Sequence, residues 1–197
     1  ISSELRPLPS LALGTSEVTP LELTAAYQPI ATNGVRRPFF GVERVSDASA
    51  AVLYGHRDTS VQVIDPDTAR QMRTMLANAV RYGSGQAATL SDRRVMGKTG
   101  TTQGNRDAWF VGFSGDMVLG VWVGRDDHRP MPGVSGANLP AQIWADVMKK
   151  TVPPDLLADV APPVAKPGRQ VHDQVGARYV LHELKTWLDD FLTGASN

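Results

Sequence analysis

The chain has 197 residues, 42% of them hydrophobic and 20% charged, which is typical of a globular protein that buries a core. Its 20 lysines and arginines balance its 20 aspartates and glutamates, so charge gives no reason to expect a nucleic acid or an anionic lipid surface as a partner. Cysteine is absent, which excludes disulfides, thiolate catalysis and cysteine-ligated metals. The apolar runs are far shorter than the roughly 18 residues that a membrane helix needs.

Two helices are indicated in the first half of the chain. The first lies in residues 19–34, where Thr19, Pro20 and Glu22 form a capping-box start. The second begins at Asp65 and runs to residue 80, ending before a glycine-rich turn. Its apolar residues recur at helical spacing and are expected to face the core: Ala69, Met72, Leu76 and Ala79.

The strand signals predict a hairpin and a three-stranded sheet. In residues 39–55, Phe40, Val42 and the region of Val45 are expected to pair with residues 52–54. Further along, strands are predicted at residues 98–102, 107–113 and 117–124. Because residues 108–113 are apolar or small on both faces, that strand needs cover on both sides.

A helix over residues 138–150 can supply part of this cover. Its expected buried stripe is Ile143, Trp144, Val147 and Met148. The fold class predicted is therefore α+β, with an antiparallel sheet sandwiched by helices.

The composition of the chain changes after residue 152, where prolines become frequent. We predict a domain over residues 1–152, a proline-rich linker over 153–169 and an amphipathic helix over 170–197. That helix either docks on the domain or binds a partner, and the sequence leaves both alternatives open.

The stretch RVMGKTGTTQG, residues 94–104, has two possible interpretations. A phosphate-binding loop needs a glycine five residues before Gly97, where this chain has Asp92. It also needs a following helix, whereas a loop and a strand follow here. The nucleotide interpretation is therefore rejected.

A substrate-binding strand explains the stretch better. Thr99 and Thr101 project to one face of a strand, and Lys98 and Gly100 project to the other. An edge strand can pair with an extended peptide, and the threonine hydroxyls with the lysine charge suit its terminal carboxylate. The backbone N–H of Thr101 suits a developing oxyanion.

Here the chain resembles a known family. The run Lys98 to Thr102, Asn105, the strand DAWFVGF and the segment GVWVGRDD look like the third motif and following strands of class A penicillin-binding proteins. The upstream LALGTSEVTPLELTAAY and the downstream NLPAQIW are similar to flanking segments of that family. The resemblance covers roughly residues 1 to 152.

The resemblance implies the partial fold of a penicillin-binding or serine β-lactamase-like transpeptidase. It implies a D,D-transpeptidase or carboxypeptidase that acts on D-Ala–D-Ala stem peptides of peptidoglycan and is acylated by β-lactams. No cofactor or metal is implied. The expected location is the periplasmic face of the inner membrane, with the anchor outside this chain.

The resemblance also assigns site residues. Lys98 and Thr101 are the expected catalytic groups. The expected substrate-binding residues are Thr99, Gly100, Thr101, Thr102 and Asn105.

Two further motifs of the family are missing. No serine in the chain is followed by lysine at the third position, and none begins a Ser-x-Asn motif. We therefore expect the nucleophilic serine and its base to lie outside this chain, in an N-terminal remainder of the domain. The isolated chain is then predicted to be inactive and prone to self-association. The alternative is a non-catalytic, penicillin-binding-like binding or scaffold module.

Other candidate residues have simpler interpretations. Trp109 and Trp122 lie on apolar strands and are expected in the core. Asp126 and Asp127 are adjacent, and a loop is a better explanation for them than a catalytic carboxylate pair.

Overall fold

The structure is a computed structural model that describes residues 1–151. The predicted linker, residues 153–169, and the predicted C-terminal helix, residues 170–197, lie outside the described residues, so these domain boundaries stay predictions. The described chain contains the helices α1 (Pro20–Ala31), α2 (Pro66–Arg81) and α3 (Leu139–Thr151). None of them has the length and apolarity that crossing a membrane demands, within the described part of the chain.

Side-chain caps fix where the helices begin. The Thr19 hydroxyl accepts from the N–H of Glu22, and the Glu22 carboxylate accepts from the N–H of Thr19, as the capping box predicts. The same carboxylate accepts from Ser2 and Ser3, and these hydrogen bonds hold the pKa of Glu22 well below its usual range. The N-terminal residues are thereby tied to the start of α1.

A three-stranded antiparallel sheet forms the centre of the described domain. Its strands are β5 (Met96–Thr101), β6 (Asp107–Ser114) and β7 (Met117–Gly124), in the order β5-β6-β7. β5 pairs with β6 from Met96 opposite Phe113 to Thr101 opposite Ala108. Side chains that lie opposite each other in a ladder share a face of the sheet. This register therefore decides on which of the two faces each side chain of β5 and β6 lies.

Helices cover both faces of the sheet, which confirms the predicted fold class. On one face, Met96 and Phe113 pack with Ala31 of α1 and with Leu76 and Ala77 of α2. The residues that form the core on the other face are Val80, Ala88, Leu90, Val95, Phe110, Ala141, Trp144, Ala145 and Met148. Phe110 and Trp144 meet edge to face with ring centroids 5.4 Å apart.

The short strands outside the central sheet begin and end at different residues from those predicted. β2 (Arg44–Ser46) pairs with β3 (Val52–Gly55), which confirms a hairpin, but Phe40 and Val42 precede it. Phe40 instead stacks on His56 with ring centroids 3.7 Å apart. Two strands of two residues each, β1 (Val35–Arg36) and β4 (Val61–Gln62), also pair and were not predicted. Segments this short carry no periodicity that a sequence pattern detects.

The buried face of α3 is narrower than its apolar pattern predicts. Trp144 is fully buried, whereas Ile143 is 36% exposed, so the expectation for Ile143 is wrong. Ala141 and Ala145 occupy the buried positions instead. These small residues let the helix approach the sheet closely, and the Trp144 indole N–H donates to the carbonyl of Leu119 across 3.0 Å.

Two substitutions on α3 test this arrangement. Trp144→Ala is expected to lower the free energy of unfolding by about 3–5 kcal/mol, because it leaves a cavity in the core. Ile143→Ala, one residue away and partly exposed, is expected to cost less than about 1 kcal/mol. Urea unfolding of both variants measures the difference, and equal losses would contradict the placement of α3.

Candidate active site

The strand β5 lies at one edge of the sheet, and its second half is accessible. Among the described residues, no strand pairs with its outer side. Met96 and Gly97 are buried, Thr99 and Gly100 are half-buried, and Lys98 and Thr101 are exposed. The stretch that the sequence singled out is therefore an open edge rather than an interior strand.

The backbone of β5 alternates between the sheet and this open edge. The N–H of Thr102 donates to the carbonyl of Asp107 across 3.0 Å, which makes these two residues a hydrogen-bonded pair. Because such pairs alternate in an antiparallel ladder, the N–H and carbonyl groups of Thr99 and Thr101 point away from β6. The Lys98 ammonium lies on this outer side and donates to the carbonyl of Thr99 across 2.8 Å.

Both threonine hydroxyls on β5 contact segments outside the strand. The hydroxyl of Thr99 lies 2.6 Å from that of Ser84, in the turn after α2. The hydroxyl of Thr101 accepts from the N–H of Gly136, 3.0 Å away, in the loop before α3. The sequence signal for these contacts was weak, since Ser84 and Gly136 are far from the motif along the chain.

The other predicted substrate residues lie beside or just beyond this edge. Gly100 is opposite Trp109, and an added Cβ would lie 3.2 Å from the Cβ of Trp109. The Thr102 hydroxyl accepts from the N–H of Asp107 across 2.8 Å. Asn105 has a positive φ of 53° in the turn that follows, and its carbonyl accepts from the N–H of Met131. Substrate contacts by these residues stay predictions.

Comparison with known proteins identifies the family to which this domain belongs. Residues 6–149 match the model of the penicillin-binding protein transpeptidase domain. The chain belongs to the penicillin-binding protein transpeptidase family. The resemblance to class A penicillin-binding proteins is thereby confirmed.

Relatives and solved structures support the assignment to the penicillin-binding family. The chain is 44% identical over 147 residues to penicillin-binding protein 1A of Aquifex aeolicus, and 35% identical over 157 residues to penicillin-binding protein 1B of Vibrio cholerae. These alignments cover 74% and 78% of the chain but 20% of each relative. The chain thus spans about a fifth of the length of these relatives.

Solved structures also match the chain, including one of a complex with a penicillin. The PonA1 protein of Mycobacterium tuberculosis, in complex with penicillin V, matches with a TM-score of 0.68 at 26% identity. The match covers 82% of this chain and 44% of that one. A D,D-transpeptidase domain from Eggerthella lenta matches with a TM-score of 0.57 at 28% identity, over 67% of this chain and 31% of that one.

The two tryptophans on the strands of the central sheet, Trp109 and Trp122, are less buried than the sequence indicated. Trp109 is half-buried, and Trp122 is 42% exposed, so the core expectation for Trp122 is wrong. The indole N–H of Trp122 donates to the Asp107 carboxylate across 3.1 Å. A polar partner at the strand end explains why this ring lies near the surface rather than in the core.

Of the adjacent carboxylates after β7, Asp127 forms an ion pair with Arg125 rather than an acid–base pair with Asp126. The Arg125 guanidinium donates two hydrogen bonds of 2.8 Å to Asp127. These bonds lower the pKa of Asp127 to about 2. A carboxylate with that pKa stays ionised at neutral pH and is a poor proton donor. Within residues 1–151, no cluster of three or more His, Cys, Asp or Glu side chains could hold a metal ion.

The alternation along β5 predicts a pattern of amide hydrogen exchange. The amides of Lys98 and Gly100 point toward β6 and are expected to exchange slowly. The amides of Thr99 and Thr101 point outward and are expected to exchange faster, by on the order of 100-fold. Exchange measured residue by residue on the complete protein gives the pattern directly. Protection of Thr101 equal to that of Gly100 would contradict the open edge.

Proposed function

We propose that this chain is the substrate- and β-lactam-binding portion of a peptidoglycan D,D-transpeptidase. The enzyme cross-links D-Ala–D-Ala stem peptides through an acyl-serine intermediate, and its nucleophilic serine lies outside this chain. The observation that carries the proposal is the open edge of β5, where Lys98 and the backbone groups of Thr99 and Thr101 face outward.

This edge suits an extended peptide that ends in a carboxylate. The outward N–H and carbonyl groups of Thr99 and Thr101 can extend the sheet by pairing with the peptide backbone. The two hydroxyls suit the terminal carboxylate, and the exposed ammonium of Lys98 adds positive charge. Hydrogen bonds to a charged group contribute about 1.5–3 kcal/mol each. A β-lactam that carries a carboxylate presents the same acceptor.

The acylation step uses groups of this chain together with the nucleophilic serine from outside it. The serine Oγ forms a bond to the carbonyl carbon of the penultimate D-Ala, and the bond from that carbon to the terminal D-Ala nitrogen breaks. The serine proton passes to a base and then to the departing amine. The outward N–H of Thr101 donates to the oxyanion, a contact whose removal costs about 2.7–4 kcal/mol in related chemistry.

Transfer then completes the cross-link. The amine of a second stem peptide attacks the carbonyl carbon of the acyl-serine, the bond from that carbon to the serine oxygen breaks, and a proton from the amine passes to the serine oxygen. Attack by water in place of the amine gives carboxypeptidase activity instead. In both steps Lys98 orients the hydroxyl of a second-motif serine and assists proton transfer. That serine, like the nucleophile, comes from the N-terminal remainder of the domain.

The remainder of the domain is the partner on which this function depends. Among the described strands, the outer side of β7 is also unpaired, and it suits a strand from that remainder. Alone, the chain leaves this edge uncovered and is expected to self-associate. We place the complete enzyme on the periplasmic face of the inner membrane, where its substrate is, with the anchor outside this chain.

A non-catalytic binding module is the second candidate, favoured by the absence of Ser-x-x-Lys from the chain. Labelling with a fluorescent penicillin separates the two. The complete protein is expected to form a covalent, denaturation-resistant adduct, because it contains the nucleophile and the β5 edge together. The chain of residues 1–197 alone is expected to form none.

Lysine variants of the complete protein show whether the β5 edge takes part. Lys98→Ala is expected to slow acylation by about 100-fold or more, since it removes the charge and the proton-transfer assistance. Lys149→Ala, at the exposed end of α3, is the matched control and is expected to acylate at the normal rate. Labelling of the isolated chain, or normal acylation of Lys98→Ala, would refute the proposed roles.

A further inference from the structure

The contact between Ser84 and Thr99 joins the end of α2 to the middle of β5. Ser84 lies between two glycines whose backbones pack on α2: an added Cβ would lie 2.8 Å from the Ala79 carbonyl oxygen at Gly83, and 3.2 Å from it at Gly85. The N–H of Gly85 donates to the same carbonyl across 3.0 Å. The turn is therefore held against the helix, and it presents the Ser84 hydroxyl 2.6 Å from that of Thr99.

A second segment reaches Thr101 from the loop before α3. Gly136 is buried, and its N–H donates to the Thr101 hydroxyl across 3.0 Å. An added Cβ would lie 2.5 Å from the carbonyl oxygen of Gly100 and would also overlap the carbonyl of Trp109. Only glycine allows the loop this close to the ladder between β5 and β6.

These contacts limit the acceptors that the two hydroxyl protons can reach. A threonine hydroxyl has one proton to donate and two lone pairs that accept. Because the Gly136 N–H occupies a lone pair of Thr101, the proton of that hydroxyl is left for a ligand. When Ser84 donates to Thr99, the Thr99 proton is also left for a ligand, and such a chain of hydroxyls polarises cooperatively toward an anion.

We infer that Ser84 and the N–H of Gly136 are positioning groups that direct the hydroxyls of Thr99 and Thr101 at the ligand carboxylate. The preference for ligands with a free carboxylate then depends on two residues outside the motif strand. This inference rests on the function proposed above, since it takes the outer edge of β5 as the binding site. Beyond that function, the turn after α2 and the loop before α3 determine the preference for a ligand with a carboxylate.

The test compares acylation of the complete transpeptidase by benzylpenicillin and by its methyl ester, which lacks the carboxylate charge. Ser84→Ala is expected to reduce the second-order rate constant for benzylpenicillin about tenfold, the effect of one hydrogen bond to a charged network. The rate with the ester is expected to change less than about twofold. Ser84→Thr keeps the hydroxyl and is expected to restore most of the preference.

Controls separate positioning from a general loss of structure. Ser49→Ala removes a serine that donates to Asp47 in the β2–β3 turn, and it is expected to leave both rates unchanged. Gly136→Ala is expected to lower the carboxylate preference further, because the loop must move away from Thr101. Thermal unfolding of each variant reports any change in stability.

The possible results distinguish this inference from the function on which it rests. Equal slowing of both ligands in Ser84→Ala, with the ratio of the two rates unchanged, would overturn the positioning role while leaving the transpeptidase proposal intact. Failure of the unmodified complete protein to be acylated by benzylpenicillin would overturn the proposed function itself. A selective loss for benzylpenicillin that Ser84→Thr restores supports the positioning role.

Discussion

The hydrogen-bond register between β5 and β6 is the constraint on which the site depends. The pairing of Thr102 with Asp107 turns the backbone groups of Thr99 and Thr101 toward the open edge. A slip of one residue would turn those groups inward and exchange the faces of Lys98 and the threonines. Every feature of the binding edge, including the donor proposed for the oxyanion, follows from this one alignment.

The packing of Phe110 stabilises that register. Its ring lies over two glycines that face each other across the strands, Gly97 and Gly112. An added Cβ would lie 2.6 Å from the ring at Gly97 and 2.8 Å from it at Gly112. A slip of one residue would place a larger residue than Gly97 under the ring, and the steric overlap would destabilise the shifted pairing. The buried core thus determines the orientation of the exposed end of the same strand.

Sequence patterns predicted the parts of the fold that short-range physics determines. The capping box at Thr19, the alternation along β5 and the apolar strands each follow from neighbouring residues. The contacts of Ser84 with Thr99 and of Gly136 with Thr101 join residues 15 and 35 apart, and no periodicity encodes them. Burial of Ile143 was mispredicted for a related reason: helical spacing identifies an apolar stripe but not its width against the sheet.

A crystal structure of the complete transpeptidase acylated by benzylpenicillin tests the central claim most directly. We expect the acyl carbonyl oxygen to lie within hydrogen-bond distance of the N–H of Thr101, and the ligand carboxylate to contact the hydroxyls of Thr99 and Thr101. A structure in which another protein strand pairs with the outer side of β5, or in which the acyl group lies away from that edge, would contradict it.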